Sequence, residues 1–211
     1  MKIAIIGAGS IAQALAKPWV AAGHQVMLSS RNPENLEPLT TSLGVSTGTV
    51  AATARFGEVL LLAVNYGTVA AAINEMAPLV SGKLIIDATN PLVWNAAGQT
   101  ERVIGEDQIA GLVMQEKLPQ ARIGKAFTTV PAQALRSGAG SASPLGIPFA
   151  ADQDPDRQTL AGLIGDAGFA GVALGTLAQS RPLDPPSPIW GMALAPEEIR
   201  QRLASSSGPK Q

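Results

Sequence analysis

Cysteine is absent from this chain of 211 residues. Its absence excludes disulfide bridges and thiol catalysis, and it fits a reducing cytoplasm. Charged residues make up only 15% of the sequence, and the formal net charge is −1. The whole molecule therefore has no electrostatic attraction to nucleic acid or to an anionic membrane, so any anion must be bound by a local site.

Aromatic residues make up 4% of the chain, and no apolar run reaches the roughly 20 residues that a membrane helix needs. The opening MKIAIIG places a lysine before an apolar run, as a signal peptide does, but GAGS interrupts that run at once. We therefore expect a cytoplasmic protein with no membrane partner and no nucleic-acid partner.

Hydrophobic residues, in contrast, make up 46% of the sequence, enough for one large α/β domain. Apolar runs of strand length alternate with segments of helical spacing, which predicts a parallel sheet with right-handed crossovers. The predicted strands are 2–7, 24–30, 57–64, 82–91, 120–127, 146–151 and 169–175, and the main predicted helices are 10–23, 32–44, 66–80 and 155–168.

The last forty or so residues differ in composition. The stretch 180–194 is rich in proline, and 195–204 has the spacing of a short helix. We predict a dinucleotide-binding domain over residues 1–175, a small C-terminal helical lobe or lid over 176–204, and a disordered tail over 205–211.

A glycine-rich loop follows the first strand directly. Gly7, Gly9 and Ala12 spell G-x-G-x-x-A between a strand and a helix. Gly7 permits the tight turn, Gly9 lets a pyrophosphate approach the backbone, and Ala12 keeps the helix close to the sheet. The pyrophosphate would then lie on the free N–H groups of Ser10 and Ile11 at the helix N-terminus. The motif predicts a Rossmann-type doubly wound fold.

The second strand ends in Ser29, Ser30 and Arg31, with no acid before Glu34. An acid at this position would grip the ribose hydroxyls of NAD and repel a phosphate. A guanidinium offers a planar fork of donors to phosphate oxygens, and the hydroxyls add neutral donors. The sequence therefore favours the 2′-phosphate of NADP.

Other strand ends of the predicted sheet carry polar or small residues, and these should gather near the same edge. Ala63 and Val64 are small enough to let ribose and nicotinamide approach, and Asn90 is placed to hydrogen-bond them. The remaining candidates at these ends are Asn65, Tyr66, Pro91, Phe127, Thr128 and Pro131.

The chain contains no evident acid–base machinery and no metal-binding motif. The single histidine, His24, lies at the wrong end of the sheet for catalysis, and Asp87 is expected to cap its own loop. Lys125 falls within a strand, where a structural role is as reasonable as proton transfer. Hydride transfer between two ring systems needs little beyond stacking and distance, so we assign no catalytic residue.

With these residues in place, the chain resembles the NADP oxidoreductase family that works with a deazaflavin, coenzyme F420. The resemblance rests on the first 33 residues and on LLLAVNYGTV, LIIDATNPL, KAFTTVPAQAL and GFAGVALGTLAQSRPLDPPSPIW. It implies a Rossmann domain with a small C-terminal lobe, NADP held by the glycine loop, Ser30 and Arg31, and a homodimer. It also implies a flat ligand stacked on the nicotinamide, in a cleft closed by the C-terminal segment. Within that segment, Leu183 and Trp190 are candidates for a lid or a dimer contact, and a polyproline-like surface wrap is the alternative.

Three functions stay open at this point. The first is hydride transfer between NADPH and a flat electron acceptor: a deazaflavin, a flavin or a quinone. The second is an NADPH-dependent dehydrogenase of a small hydroxy or imino acid, which would use Lys125 or Asp87 as proton donor. The third is a non-enzymatic NADP(H) sensor that binds a partner protein.

Overall fold

The structure is a computed structural model that describes residues 1–30 and 32–206. Its strands are β1 (Lys2–Ile6), β2 (Gln25–Ser29), β3 (Ser46–Gly48), β4 (Val59–Leu62), β5 (Leu84–Asp87), β6 (Leu92–Trp94), β7 (Thr100–Arg102), β8 (Arg122–Ala126), β9 (Gly146–Ala151) and β10 (Ala170–Ala173). Its helices are α1 (Ser10–Ala21), α2 (Glu37–Leu43), α3 (Val50–Phe56), α4 (Val69–Met76), α5 (Ala110–Lys117), α6 (Ala132–Gly138), α7 (Asp154–Asp166) and α8 (Pro196–Ser206).

Eight of the strands form one sheet in the order β10-β9-β8-β5-β4-β1-β2-β3. The pairing is parallel from β3 to β8, β9 runs antiparallel to β8, and β10 runs parallel to β9. β6 and β7 form a separate antiparallel hairpin. The predicted Rossmann-type, doubly wound and mostly parallel sheet is confirmed.

All seven predicted strands are present, but several short elements were not predicted from the sequence. These are β3, the β6–β7 hairpin and the helices α3, α5 and α6, none longer than eight residues. Elements this short show too few turns or alternations for a periodic pattern to emerge.

Helices cover both faces of the sheet because successive strand residues point to opposite sides. Ile3 and Ile5 of β1 pack in one cluster with residues of α1, α6 and α7. Ala4 and Ile6 pack in a second cluster with residues of α3, α4 and α5. Burying each Ile side chain contributes about 1.5–3 kcal/mol, and both layers therefore stabilise the strand that carries the glycine loop.

The C-terminal segment continues from β10 and packs onto the end of the sheet. Ile199 of α8 lies in a small buried cluster with Val172, Ile189 and Leu194. The predicted tail starts within α8, which extends to Ser206, and residues 207–211 lie outside the described part. Among the described residues, no helix combines the length and the apolar character needed to cross a bilayer.

Candidate functional site

The candidate site lies between the C-terminal ends of β1 and β4. α1 follows β1 on one face of the sheet, whereas α4 follows β4 on the other face. Crossovers to opposite faces leave a crevice between two neighbouring strand ends, and ligands of open α/β sheets bind at this switch point. Residues 7–9 and 63–65 form its two sides.

Gly7 brings the two strand ends together. Its φ is +119°, and a Cβ atom at this position would lie 2.4 Å from the carbonyl oxygen of Ala63. Both the backbone conformation and the packing therefore require glycine here. The Gly7 N–H donates to the Ser29 hydroxyl at 3.0 Å, so the end of β2 braces the loop.

Gly9 is glycine for a different reason. Its φ is −76°, which any residue adopts, and a Cβ atom there would meet no protein atom within 4 Å. The fold thus leaves open space above this backbone. Gly9 also precedes α1, and no side chain caps the helix. The first helical hydrogen bond joins Gln13 N–H to the Gly9 carbonyl at 3.0 Å, which leaves the N–H groups of residues 10–12 directed at an incoming anion.

Two adjoining cavities meet at this loop and share Gly9, Ala63, Val64 and Asn65. The first, of about 380 Å³, extends toward β2, and the second, of about 310 Å³, extends toward β5. The first is lined in addition by Ile6, Gly7, Ala8, Ser29, Ser30, Val50, Thr68, Ala71, Ala72 and Glu75. The second is lined in addition by Ser10, Ile11, Tyr66, Ala88, Thr89, Asn90 and Leu92.

One wall of the first cavity was not predicted from the sequence. It consists of Thr68, Ala71, Ala72 and Glu75, which follow the spacing i, i+3, i+4 and i+7 and so share one face of the helical segment around α4. That spacing was available in the sequence as a signal. However, small residues on a helix face more often pack against a sheet, and only the tertiary structure turns this face toward a cavity.

The end of β2 lines the first cavity through Ser29 and Ser30. Ser29 is buried and its oxygen accepts the Gly7 N–H, while the Ser30 hydroxyl accepts the Asn32 N–H at 3.1 Å. Each hydroxyl still has its own proton to donate. Arg31, the third member of the predicted phosphate site, lies outside the described residues.

The second cavity has two polar side chains suited to orient a ring. Asn90 donates from Nδ2 to the Thr128 carbonyl at 3.0 Å, while its Oδ1 is buried with no hydrogen-bond partner among the described residues. Burying an oxygen without a hydrogen-bond donor costs about 1–3 kcal/mol of stability, and a ligand that donates to it would recover this loss. Burial, together with the charges of Asp87 and Asp184, raises the pKa of Tyr66 above its ordinary value of 10.0. Tyr66 is therefore a neutral phenol at physiological pH.

A buried charge network lies behind this cavity. Lys125 is completely buried, and its Nζ donates to Asp87 Oδ2 at 2.9 Å and to the Thr89 carbonyl at 3.0 Å. Asp87 Oδ1 accepts the backbone N–H and the hydroxyl of Thr89 at 2.9 and 2.7 Å. Asp87 thus caps its own loop, as expected from the sequence, and its charge is matched by Lys125.

The same network reaches the C-terminal segment through Asp184, which is also completely buried. Asp184 Oδ2 accepts the Ala110 N–H at 2.8 Å, and its Oδ1 lies 3.9 Å from Lys125 Nζ. The Arg102 guanidinium lies 3.9 Å from Asp184 and donates to the Pro185 carbonyl at 2.9 Å. Burial raises the pKa of Asp184 above its ordinary value of 3.8, although Lys125 and the Ala110 N–H act in the opposite direction.

Several of the predicted site residues line neither cavity. Phe127 has a φ of 63°, is buried and packs edge to face on Trp19, with ring centroids 6.3 Å apart. Thr128 is buried and donates to the Leu183 carbonyl at 2.8 Å. The others that line neither cavity are Ala12, Pro91, Pro131, Leu183 and Trp190.

His24 lies at the opposite edge of the sheet, between α1 and β2, where Nε2 is 2.9 Å from Asp166 Oδ2. It belongs to the packing of α1 on α7 and is separated from the cleft by the length of the strands. Across residues 1–30 and 32–206, no group of three or more His, Asp or Glu side chains is arranged to hold a metal ion.

The raised pKa of Asp184 predicts a pH-dependent stability difference. The native state holds the proton of the Asp184 carboxyl more tightly than the unfolded chain does. The stability that this proton contributes is therefore complete below the ordinary pKa of 3.8 and is lost as pH rises through the pKa of the native state. The free energy of unfolding of Asp184→Asn, relative to the wild type, should therefore rise between about pH 4 and about pH 7. Urea denaturation at both pH values measures it.

The surface variant Asp107→Asn serves as the control for loss of a carboxylate. If the difference in free energy of unfolding between Asp184→Asn and wild type stays constant or falls as pH rises, the raised pKa of Asp184 is contradicted.

Comparison with known proteins agrees with this geometry. The model of the family described as NADP oxidoreductase coenzyme F420-dependent matches residues 2–91. Metalloreductase STEAP3 of Rattus norvegicus is 27% identical over 186 residues, which is 87% of this chain and 36% of that protein. This chain thus spans about a third of the length of that curated relative.

Two solved structures superpose over most of the chain. A hypothetical protein from Sinorhizobium meliloti has a TM-score of 0.81 and 28% identity, with 92% of this chain and 95% of the other covered. A protein from Arthrobacter sp. FB24, described as an F420-dependent NADP reductase, has a TM-score of 0.77 and 21% identity, with 86% and 87% covered. The latter identity shows the shared fold only.

The family match covers β1 to β5 and includes the glycine loop and both strand ends that form the cleft. The resemblance predicted from the sequence is confirmed for the N-terminal part of the chain: residues 2–91 match the model of the NADP oxidoreductase family described as coenzyme F420-dependent.

Proposed function

We propose that this chain binds NADP(H) in the two adjoining cavities and transfers hydride between it and a flat electron acceptor. The observation that carries the proposal is the open space over Gly9, next to the uncapped start of α1 and at the switch point of the sheet. No neighbouring protein atom requires position 9 to lack a Cβ. A glycine at this position instead suits the close approach of a pyrophosphate to the backbone.

The lining residues fit the rest of the nucleotide. The N–H groups of Ser10 and Ile11 would bind the pyrophosphate, and the first cavity would hold the adenosine, with its 2′-phosphate against Ser30 and Arg31. The nicotinamide would lie in the second cavity, where the unpartnered Oδ1 of Asn90 is suited to accept the carboxamide N–H. Ala63 and Val64 leave room where the two halves join.

The bound nicotinamide supplies the hydride, and the chain supplies position and exclusion of water. Tyr66 is the only titratable side chain among the residues that line the second cavity. Lys125 and Asp87, the proton donors that the dehydrogenase alternative would need, are buried and bonded to each other. This arrangement favours a ring acceptor, such as a deazaflavin, a flavin or a quinone, over a carbonyl or imine that needs a proton delivered.

The homodimer, the cytoplasmic location and the division into a dinucleotide domain over 1–175 and a lid over 176–204 stay predictions. In this proposal, residues 180–190 close the acceptor side indirectly, because Thr128 and Asp184 tie the segment to the loops behind the second cavity. The sensor alternative differs from the proposal in having no turnover.

The two loop glycines provide a matched pair of variants. Gly9→Ala should leave the free energy of unfolding nearly unchanged but lower NADPH affinity by about tenfold or more, because the methyl group occupies the space over the backbone. Gly7→Ala should instead lose about 1–3 kcal/mol of stability from backbone strain alone. Urea denaturation and fluorescence titration with NADPH measure the two effects. An unchanged NADPH affinity in Gly9→Ala would remove the proposed pyrophosphate site.

The choice of NADP over NAD is tested at Arg31. Charge-assisted hydrogen bonds contribute about 1.5–3 kcal/mol each, so Arg31→Glu should lower NADPH affinity by about tenfold or more while changing NADH affinity far less. Arg31→Gln removes the charge without adding an acid, so its NADPH affinity should lie between those of the wild type and Arg31→Glu. Calorimetric titration with both nucleotides gives the comparison. Equal losses for NADPH and NADH would contradict the phosphate assignment.

The acceptor class is tested by turnover. Oxidation of NADPH should be observed with at least one member of a set containing a 5-deazaflavin, a flavin and simple quinones. Binding of NADPH without turnover of any acceptor would favour the sensor, and turnover only with hydroxy-acid or imino-acid couples would favour the dehydrogenase.

A further inference from the structure

Glu75 is the only charged side chain among the described residues that line the first cavity. Within residues 1–30 and 32–206, its carboxylate makes no ion pair and no side-chain hydrogen bond. The cavity proposed to hold part of a polyanionic dinucleotide therefore contains an unpaired acid. Such an acid weakens binding by repulsion unless it lies away from the phosphates and contacts a hydrogen-bond donor of the ligand.

The position of Glu75 in its helix gives no structural reason for the charge. Glu75 is the next-to-last residue of α4, where a negative charge faces the negative end of the helix dipole. The residues four and three positions before it are Ala71 and Ala72, and the last turn contains no basic residue. No cation on the helix is therefore spaced to pair with this carboxylate. Glu75 does not stabilise α4, which leaves its place in the cavity as the feature to explain.

Glu75 lies at the end of the cavity wall that is remote from the glycine loop. At the near end, the Thr68 hydroxyl donates to the carbonyl of Asn65 at 2.8 Å, and Asn65 lines both cavities. Glu75 follows Thr68 by two helical turns, which is about 10 Å along the axis at about 1.5 Å per residue. Ala71 and Ala72 lie between them on the same face and leave room for a flat ring.

The charges at the two ends of this wall give the nucleotide a direction. The uncapped start of α1 attracts the pyrophosphate, whereas the carboxylate of Glu75 repels any phosphate. The uncharged base therefore lies toward Glu75. A carboxylate only accepts hydrogen bonds, so it favours a base that presents a donor. Adenine presents an amino group at C6, whereas hypoxanthine held in the same position presents an oxygen there.

We propose that Glu75 selects the adenine base of the nucleotide by accepting a hydrogen bond from its exocyclic amino group. The inference rests on the proposed NADP(H) site and adds a specificity-determining residue at the end opposite to the nicotinamide. Preference for the phosphate and preference for the base then come from different elements, because the first depends on the end of β2 and the second on α4.

The test is calorimetric titration of the full chain with NADP and with nicotinamide hypoxanthine dinucleotide phosphate, which differ in the base alone. The wild type should bind NADP about tenfold more tightly, because a hydrogen bond to a charged acceptor is gained with one base and an acceptor meets an acceptor with the other. The ratio of the two affinities is the informative quantity, since both dinucleotides carry the same phosphates and are repelled equally by the acid.

Two variants change this ratio for different reasons. Glu75→Gln keeps the size of the side chain, and its amide can accept from the amino group or donate to the oxygen. The ratio should therefore fall to within about twofold of one, mainly through tighter binding of the hypoxanthine dinucleotide. Glu75→Ala removes both capacities, and its ratio should also lie near one. Urea denaturation verifies that both variants are folded.

Glu116→Gln is the matched control for the loss of a carboxylate. Glu116 is an exposed residue of α5 and lines neither cavity. Its substitution should leave the ratio of the two affinities at the wild-type value.

Each contrary result has a defined meaning. Equal affinity of the wild type for the two dinucleotides, or tighter binding of the hypoxanthine form, overturns the inference. A tenfold preference for NADP that persists in Glu75→Gln assigns the selection to another residue. A loss of preference in Glu116→Gln as large as that in Glu75→Gln reduces it to a general charge effect. NADP binding without base preference refutes this inference alone, whereas failure of the wild type to bind either dinucleotide refutes the proposed function.

Discussion

The close approach of Gly7 to the Ala63 carbonyl is the contact on which the site depends. No Cβ fits between them, because it would lie 2.4 Å from that oxygen. The contact joins the ends of β1 and β4 at the point where their helices leave to opposite faces, and the Ser29 hydroxyl holds the Gly7 N–H from the third side. Three strand ends are thereby fixed relative to one another, and the two cavities are the space that remains around them. Gly9, two residues further on, lines both cavities, and a Cβ atom there would meet no protein atom within 4 Å.

A second constraint acts on the loop that follows β5. Lys125, Asp87 and Asp184 are buried together, and a buried charge is tolerated only where partners and hydrogen bonds match it. The lysine holds the loop that carries Thr89 and Asn90, and Asp184 brings the C-terminal segment to the same place. Such networks are weak evidence for net stability, but they specify one arrangement. The loop that would position a nicotinamide is therefore fixed by charges that do not themselves line the second cavity.

In the proposed function, these two constraints act on different halves of the bound nucleotide. The first cavity and the glycine loop consist largely of backbone and small side chains, which leave space and donors. The second cavity, which would hold the nicotinamide, is lined by side chains from distant parts of the chain: Tyr66 after β4, Asn90 after β5 and Leu92 at the start of β6.

The sequence alone determined the alternation of strands and helices in the first half, the glycine loop and the absence of an acid at the end of β2, since each depends on local periodicity or on a residue type at a fixed offset. Only the tertiary structure decided which strand-end residues face the cleft. Phe127 follows a strand, as the cleft residues do, yet its ring packs on Trp19 in the core. The face of Thr68, Ala71, Ala72 and Glu75 lines a cavity only because of how the α4 segment packs on the sheet. Packing is a long-range property, and no short stretch of sequence encodes which side of an element will be left uncovered.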